Sequence, residues 1–365
     1  MARSKSIADV AAAAGVSIGT VSNVLNHPHV VAAGTREKVE AAIRELGFVR
    51  NESARQLGSG RSRAIGLVVL DIGNPFFTDI ARGAQQVTKA RGGLVLIADS
   101  AEDPELEKSN VEMFLQQRVQ GVLIAPSGAD LAFLDVLDRA GIPAVVVDRA
   151  SNAGDKCAVT VDDRLGGALA ARHLLSLGHR HLAIVGGPST QTQVEHRTEG
   201  ALRATAEAGA TLMTVSTRGL NVAEGRMAAQ YLATLPDDER PTAVFAANDL
   251  VALGLLQGLV TAGLRVPQDM SLIGYDDIEF SAAATVPLTS MRQPREELGR
   301  AAAELLYEEI DQRGIEVKGG APHRHRLVQF HPELVIRSST APAPAHAVPS
   351  VTGSAAAASA VRRRR

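Results

Sequence analysis

The sequence has little that would build an exported or membrane protein. It contains one cysteine, Cys157, no tryptophan and three tyrosines among 365 residues. A single cysteine excludes an intrachain disulfide framework and suits a reducing compartment. No apolar run reaches the roughly 18 residues that a membrane span requires, and the polar N-terminus is unlike a secretory signal. We therefore expect a cytoplasmic protein.

An excess of charge of one sign is also missing overall, but the charges are unevenly distributed. The formal net charge is −2. Residues 1–63 carry 9 Lys/Arg and 5 Asp/Glu, residues 64–340 carry 25 and 35, and residues 341–365 carry 4 and 0. A basic head on an acidic body indicates a module that binds a polyanion such as nucleic acid, joined to a body that does not.

Motifs of common enzyme classes are absent as well. The chain has no Gly-x-Ser-x-Gly elbow, no phosphate-binding loop and no dinucleotide-binding glycine motif after a strand. No cysteine or carboxylate cluster stands at ligand spacing beside His179, His181, His323, His325 and His331, so we expect no metal site. We expect no catalytic residues, no cofactor and no enzyme activity.

The first 50 residues predict three helices. Ser6 opens the first helix with a capping-box pattern, and Gly15 ends it. Ser17 is expected to cap the second helix and Thr35 the third, with Gly47 just past its C-terminus. Two short helices joined by a tight turn, with a third packed against them, are typical of a helix-turn-helix unit.

Such units insert the N-terminal part of the second helix into the DNA major groove. Small hydroxyl and amide side chains at this place can donate to phosphates and base edges. We therefore predict DNA contacts by Ser17, Ile18, Gly19, Thr20, Ser22 and Asn23. The alternative is a plain three-helix interaction domain.

Residues 62–340 alternate between short apolar runs and helical stretches. Eight such runs occur, from Ala64–Leu70 to Ser271–Gly274. Strands that are apolar throughout and separated by helices indicate parallel sheets covered on both faces. This number of strands favours two doubly wound lobes over one open sheet. Ligands bind such lobes at the carboxyl ends of strands.

The motifs of head and body together resemble the lactose-repressor/galactose-repressor (LacI/GalR) family, over residues 5 to about 338. The head motifs are Ile7-Ala8-Asp9-Val10-Ala11, Ala14-Gly15-Val16-Ser17, Thr20-Val21-Ser22 and Thr35-Arg36-Glu37-Lys38-Val39. The body motifs are Asn74-Pro75-Phe76-Phe77, Ala247-Asn248-Asp249 and Ile273-Gly274-Tyr275-Asp276-Asp277. The resemblance implies an α/β protein with an all-α helix-turn-helix headpiece and a body like a periplasmic binding protein.

The same resemblance implies the domain organisation. It predicts a DNA-binding headpiece at 1–50, a hinge helix and linker at 51–61, and a two-lobed effector-binding and dimerisation domain at 62–340. It also implies that the chain crosses between the lobes near Val161-Asp162, near Met291-Arg292 and at about Ala321–Arg326. The remaining residues, 341–365, are rich in Ala, Pro and Ser and end in four arginines, which is typical of a disordered tail.

The partners and site residues follow from the resemblance as well. The partners implied by the resemblance are operator double-stranded DNA, a second copy of the chain and a small effector. The family resemblance favours a carbohydrate as that effector. The resemblance adds DNA contacts at Ser6, Asn26, Thr35, Asn51, Ala54 and Leu57, with Leu57 as a minor-groove wedge. It assigns the effector to Phe77, Asp148, Arg197, Asn248 and Asp276. Asp249 is expected to cap the following helix instead.

Two functions from different classes remain at this point. The first is a sequence-specific DNA-binding transcriptional repressor, acting at the nucleoid, whose operator affinity is controlled by a ligand held between two lobes. The second is a ligand-binding receptor without specific DNA binding. The basic helix-turn-helix head favours the first.

Overall fold

The computed structural model describes residues 5–48, 62–128, 130–150, 155–188, 191–316 and 323–344. Contacts divide the chain into two compact units, Met1–Ser62 and Arg63–Arg365. No single helix in the described ranges is long and apolar enough to cross a membrane; only α1 and α2 taken together, as a pair bent by 104°, reach that length and composition. The predicted hinge and most of the predicted tail lie outside the described residues.

The head consists of three helices around a small apolar core. They are α1 (Ile7–Ala14), α2 (Ile18–Asn26) and α3 (Ala33–Leu46). A full capping box between Ser6 and Asp9 opens α1, and Gly15 ends it in the left-handed conformation with φ of 65°. The packed side chains of all three helices are buried, and they are Val10, Ala11, Val21, Val24, Val39 and Ala42.

One predicted helix cap in the head is wrong. Helix α3 starts at Ala33, with Ala32 in the cap position and no side-chain cap. Thr35 lies inside the first turn. Alanine has a high helix propensity, so the chain becomes helical two residues before the hydroxyl that was expected to start it.

The first lobe of the body has a six-stranded sheet in the order β11-β5-β4-β3-β1-β2, and all its neighbours are parallel. Its strands are β1 (Ala64–Val69), β2 (Leu94–Asp99), β3 (Val122–Ile124), β4 (Ala144–Val147), β5 (Ala158–Val161) and β11 (Leu327–Phe330). Its helices are α4 (Pro75–Ala90), α5 (Pro104–Gln116), α6 (Asp135–Arg139) and α12 (Arg295–Glu316). Strand order reverses between β1 and β3, which opens a crevice at the carboxyl ends.

The second lobe repeats this plan with the order β12-β10-β9-β8-β6-β7. Its strands are β6 (His181–Val185), β7 (Thr211–Val215), β8 (Ala243–Ala246), β9 (Ser271–Asp276), β10 (Thr289–Arg292) and β12 (Glu333–Val335). Among the strands that the structure describes in this lobe, only the β10–β12 pair is antiparallel. Its helices are α7 (Asp163–Ser176), α8 (Thr192–Glu207), α9 (Val222–Thr234), α10 (Asp249–Thr261) and α11 (Glu279–Ala283).

The chain crosses between the lobes three times. The first crossing joins β5 to α7 and the second joins β10 to α12, next to the predicted places. The third crossing was predicted too early. It joins β11 to β12 at residues 331–332, because residues 327–330 first complete the sheet of the first lobe.

Helices pack closely where glycine replaces a side chain. A Cβ on Gly167 in α7 would lie 1.9 Å from the carbonyl oxygen of Arg197, and one on Gly200 in α8 would lie 2.0 Å from that of Arg164. These two glycines therefore set the short distance between α7 and α8, and with it the position of Arg197.

Candidate functional site

The N-terminal end of α2 is polar and solvent-accessible. Ser17 caps the helix, since its Oγ accepts from the Thr20 backbone N–H at 3.1 Å and lies 2.9 Å from Thr20 Oγ1. Ile18 is 52% exposed, and Gly19 and Asn23 are also exposed. The 104° angle between α1 and α2 falls within the range of helix-turn-helix units. A helix N-terminus with free space around it attracts phosphate.

The other predicted DNA contacts differ in position. Ser22 Oγ accepts from Asn26 Nδ2 at 3.2 Å, which keeps both side chains on one side of α2. Ser6 is half-buried and occupied by its capping box, and Thr35 is half-buried in α3. Asn51, Ala54 and Leu57 lie outside the described residues.

A cleft between the two lobes brings together all five residues predicted to contact the effector. The pocket is narrow, with a volume of about 30 Å³. The residues that line it are Leu70, Asp71, Asn74, Phe76, Phe77, Glu102, Asp148, Gln191, Gln193, Arg197, Leu220, Asn248 and Asp276. They follow the carboxyl ends of strands in both lobes, as the topology requires.

Arg197 is the buried cation of the cleft. It is 3% exposed, its Nε donates to Asp163 Oδ1 at 2.7 Å, and a terminal nitrogen donates to the carbonyl of Ala247 at 2.7 Å. Its guanidinium lies 3.8 Å from the ring centre of Tyr275. Burial opposes its charge, but nearby carboxylates, Asp163 foremost, outweigh this and hold the pKa of Arg197 above its ordinary value.

Two buried carboxyl groups face this cation from different lobes. Asp148 follows β4 with φ of 64°, and Asp276 ends β9 with φ of 105°. Burial, with the nearby charge of Asp163, raises the pKa of Asp148 to about 8. Burial raises the pKa of Asp276 to about 6, although Arg197 acts in the opposite direction. At neutral pH Asp148 therefore keeps a proton that it would lose in water, whereas Asp276 is mostly ionised.

Hydrogen bonds across the cleft hold the lobes together. Gln193 Nε2 of the second lobe donates to Asp148 Oδ2 of the first at 3.0 Å. Asn74 Nδ2 of the first lobe lies 3.4 Å from Asp276 Oδ2 of the second. The other oxygen of Asp148, Oδ1, is buried and accepts no hydrogen bond from the described part of the chain.

The roles of Asn248 and Asp249 differ from those expected. Asn248 is the cap of α10, because its Oδ1 accepts from the Val251 N–H at 2.9 Å, while its Nδ2 donates to the Leu220 carbonyl at 3.0 Å. Asp249 is fully buried behind the cleft and accepts from Ser290 Oγ at 2.7 Å and from the Ile278 N–H at 2.9 Å. Asn248 still lines the pocket, but both its amide oxygen and its amide nitrogen are hydrogen-bonded to backbone groups.

Sequence reasoning missed three polar residues of the cleft: Glu102, Gln191 and Gln193. Burial raises the pKa of Glu102, and the Asp71 charge adds to this effect. Gln191 and Gln193 follow β6 at its carboxyl end, which is the signal that could have found them.

No metal site was expected because no cysteine or carboxylate cluster stands at ligand spacing beside the histidines in the sequence. In the structure, two of the histidines do have such neighbours. His323 and His325 lie within 4.8 Å of Cys157 and Glu309, measured between one ligand atom of each residue. His179, in contrast, is buried and bonded to Thr242 and Ser271, so it has a structural role.

Comparison with known proteins identifies the family. The profile of bacterial regulatory proteins of the lacI family matches residues 6–51, and that of the periplasmic binding protein-like domain matches residues 171–340. A transcriptional repressor of Haemophilus influenzae named PurR is 36% identical over 338 residues, which are 91% of this chain and 98% of that protein. The chain belongs to the LacI family. It is therefore a DNA-binding transcriptional regulator.

Solved structures of LacI-family proteins have similar folds. The lac repressor dimer bound to operator and the anti-inducer ONPF has a TM-score of 0.78 and 27% identity, and the match covers 93% of this chain and 100% of that one. A LacI family regulator of Enterococcus faecium with bound ribose has a TM-score of 0.67 and 30% identity, over 76% of this chain and 99% of that one.

Proposed function

We propose that this LacI-family regulator contacts operator DNA through the N-terminal half of α2. Ser17, Ile18, Gly19, Thr20, Ser22 and Asn23 are the contact residues. The observation that supports this is the exposure of a helix end that bears hydroxyl and amide side chains, held in place by the apolar core of the head. Asn23 is suited to an adenine edge and Ile18 to a thymine methyl group, while Ser17 and Thr20 are suited to phosphates. Asn26, Ser6, Thr35, Asn51, Ala54 and Leu57 complete the proposed set.

Selection of bound sequences from random duplex DNA tests this proposal. The wild-type protein should enrich a near-palindromic site, and its affinity should fall steeply with salt because counterions are released. Asn23→Ala should lose about 1–3 kcal/mol of discrimination at one base position in each half-site. Ala41→Ser, an exposed change on α3, is the control and should leave the selected site unchanged. Failure to enrich any sequence would instead favour a receptor without specific DNA binding.

We further propose that the cleft binds a neutral polyhydroxylated effector, a sugar. The observation that carries this is the buried Asp148 Oδ1, which has no hydrogen-bond partner in the described part of the chain. Gln193 occupies the other oxygen and the raised pKa keeps the group protonated at neutral pH, so Oδ1 can donate to a ligand hydroxyl. Asp276 and Arg197 add an acceptor and a donor. Phe76 and Phe77, whose rings pack edge to face at 5.0 Å, supply an apolar side for the carbon face of a sugar ring.

Thermal shift with a panel of sugars, nucleosides and amines tests the cleft. One sugar should raise the melting temperature of the wild type, and Asp148→Asn and Asp276→Asn should each abolish that rise. Asp237→Asn is the control because this side chain is 94% exposed on the surface of the second lobe. If a nucleoside or an amine alone gives the shift, the sugar assignment is wrong; if both variants respond like the wild type, the cleft assignment is wrong.

The effector and DNA are proposed to be coupled through the lobes. A ligand that enters the cleft has to replace the Gln193–Asp148 and Asn74–Asp276 contacts, so it changes the separation of the lobes. The head is joined by residues 51–61 to β1 of the first lobe. In a homodimer this change alters the spacing of the two heads, and ligand and operator therefore alter one another's affinity reciprocally. The protein acts in the cytoplasm as a repressor and catalyses no reaction.

A further inference from the structure

We propose that the first lobe binds one divalent transition-metal ion of the Zn²⁺ class through Cys157 Sγ, His323 Nε2, His325 Nδ1 and Glu309 Oε1. This site lies apart from the effector cleft. Cys157 directly precedes β5, Glu309 belongs to α12, and the two histidines precede the edge strand β11. Residues that are far apart in sequence thus meet at one end of the sheet.

The distances between the ligand atoms suit tetrahedral coordination. Cys157 Sγ lies 3.2 Å from His323 Nε2. Glu309 Oε1 lies 3.7 Å from His323 Nε2 and 3.4 Å from His325 Nδ1. Bond lengths of about 2.0–2.3 Å at tetrahedral angles place neighbouring ligand atoms roughly 3.3–3.7 Å apart. Three of the six distances are therefore close to those around one tetrahedral ion, and all four atoms lie within 4.8 Å of one another.

The chemistry of the donor set points to the same class of ion. One sulfur, two imidazole nitrogens and one carboxylate oxygen are borderline donors that prefer Zn²⁺ over the hard ions Ca²⁺ and Mg²⁺. A thiolate and a carboxylate together neutralise a divalent cation, so the occupied site carries no net charge. This matters because Cys157 is fully buried and Glu309 is 2% exposed.

Two further features fit a site built for a cation. Glu309 Oε1 is buried and accepts no hydrogen bond of good geometry from the described residues. The two histidine nitrogens stay 3.4 and 3.7 Å away, and a bound cation would give this oxygen a direct partner. His323 Nδ1 lies 3.0 Å from Gln312 Oε1. Because an amide oxygen can only accept, Nδ1 carries the proton and Nε2 presents its lone pair toward Cys157 and Glu309. Metal-binding histidines are commonly oriented in this way by a second residue.

The site would fasten the edge strand β11 to its neighbour β5 and to α12. The third crossing to the second lobe follows β11 directly, at residues 331–332. An ion at this place therefore stabilises the segment that leads from one lobe to the other, and the side chain of His325, 30% exposed, gives it access to solvent.

Titration of the untagged full chain with Co²⁺, followed by displacement with Zn²⁺, tests the site. After metal is removed with a chelator, one equivalent of Co²⁺ should produce the visible absorption of a tetrahedral ion and a sulfur-to-cobalt charge-transfer band. Cys157→Ser should lose the charge-transfer band and weaken binding by more than tenfold. Gln312→Ala, which leaves all four ligands in place, should weaken binding by roughly 10–100-fold.

His331→Ala is the matched control, because His331 is an exposed histidine outside the cluster. It should bind Co²⁺ and Zn²⁺ like the wild type, and circular dichroism should show that every variant is folded. The proposal is overturned if the wild type gives no charge-transfer band, or if Cys157→Ser and Gln312→Ala bind the ions as tightly as the wild type. In that case the cluster is a hydrogen-bonded thiol and an ion pair between histidine and Glu309.

Discussion

Replacing Arg197 by methionine removes the buried cation that is paired with Asp163 and that faces Asp148 and Asp276. The side chains of Arg197 and Asp163 are 4% and 3% exposed, and they are joined by a hydrogen bond of 2.7 Å. Breaking a buried ion pair by removal of one partner costs about 3–5 kcal/mol, because the other charge stays buried and unpaired. For a body of this size, at about 2 °C for each kcal/mol, that loss lowers the melting temperature by roughly 6–10 °C.

The same two helices provide a matched control. Arg164 of α7 pairs with Glu199 of α8 at 2.6 Å, but these side chains are 50% and 46% exposed. Exposed pairs contribute about 0–1 kcal/mol. Arg164→Met should therefore lower the melting temperature by less than about 2 °C. Differential scanning calorimetry at constant pH and ionic strength measures both variants.

A double variant separates the lost charge from lost packing. Adding Asp163→Asn to Arg197→Met removes the uncompensated carboxylate, so the double variant should be more stable than the sum of the two single losses predicts. Equal losses for Arg197→Met and Arg164→Met, or additive losses in the double variant, would refute the electrostatic reasoning. Because Arg197 supports the fold to this extent, its substitution is unsuitable as a clean test of ligand binding.

Three other outcomes are expected. The pKa of Asp148 in the folded state, about 8, lies above the ordinary value of 3.8, so between these values the folded state holds a proton that the unfolded state has lost. The free energy of unfolding should therefore fall as pH rises from 3.8 to about 8. Asp148→Asn should flatten this slope in calorimetric scans. Gly200→Ala should destabilise the body, because the added Cβ would lie 2.0 Å from the Arg164 carbonyl oxygen. A Cβ added at Gly34 would meet no atom within 4 Å, so Gly34→Ala should stabilise the head by about 0.5–1 kcal/mol in thermal unfolding. Leu57→Ala should weaken specific operator binding far more than nonspecific binding in fluorescence anisotropy, and an equal loss of both would show that Leu57 is no wedge.

Local signals in the sequence were sufficient for much of the fold. The capping box at Ser6, the glycine ends of α1 and α3, and the eight apolar runs depend on neighbouring residues, and all are present in the structure. The four strands that were not predicted, β5, β10, β11 and β12, are three or four residues long. β11 pairs with β5 and β12 pairs with β10, so the place of these edge strands depends on partners far along the chain.

The cleft was predicted in location but not in detail. Asn248 takes the cap position that was expected of Asp249, because a shift of one residue decides which side chain caps α10 and which turns into the protein. The Cys157–His323 contact joins residues 166 positions apart. No spacing rule for metal ligands reaches that far, so only the folded chain shows that the histidines have a thiol and a carboxyl group beside them.

Reciprocal coupling between the cleft and the head is the most direct test of the proposed regulation. The dissociation constant of the selected operator should be measured by fluorescence anisotropy with and without the sugar that gives the thermal shift. The affinity of that sugar should be measured with and without operator. The two ratios should be equal and differ from one, and Asp276→Asn should bring both to one while leaving operator affinity without sugar unchanged. A sugar that binds the wild type tightly yet leaves its operator affinity unchanged would contradict the proposed control of DNA binding by the cleft.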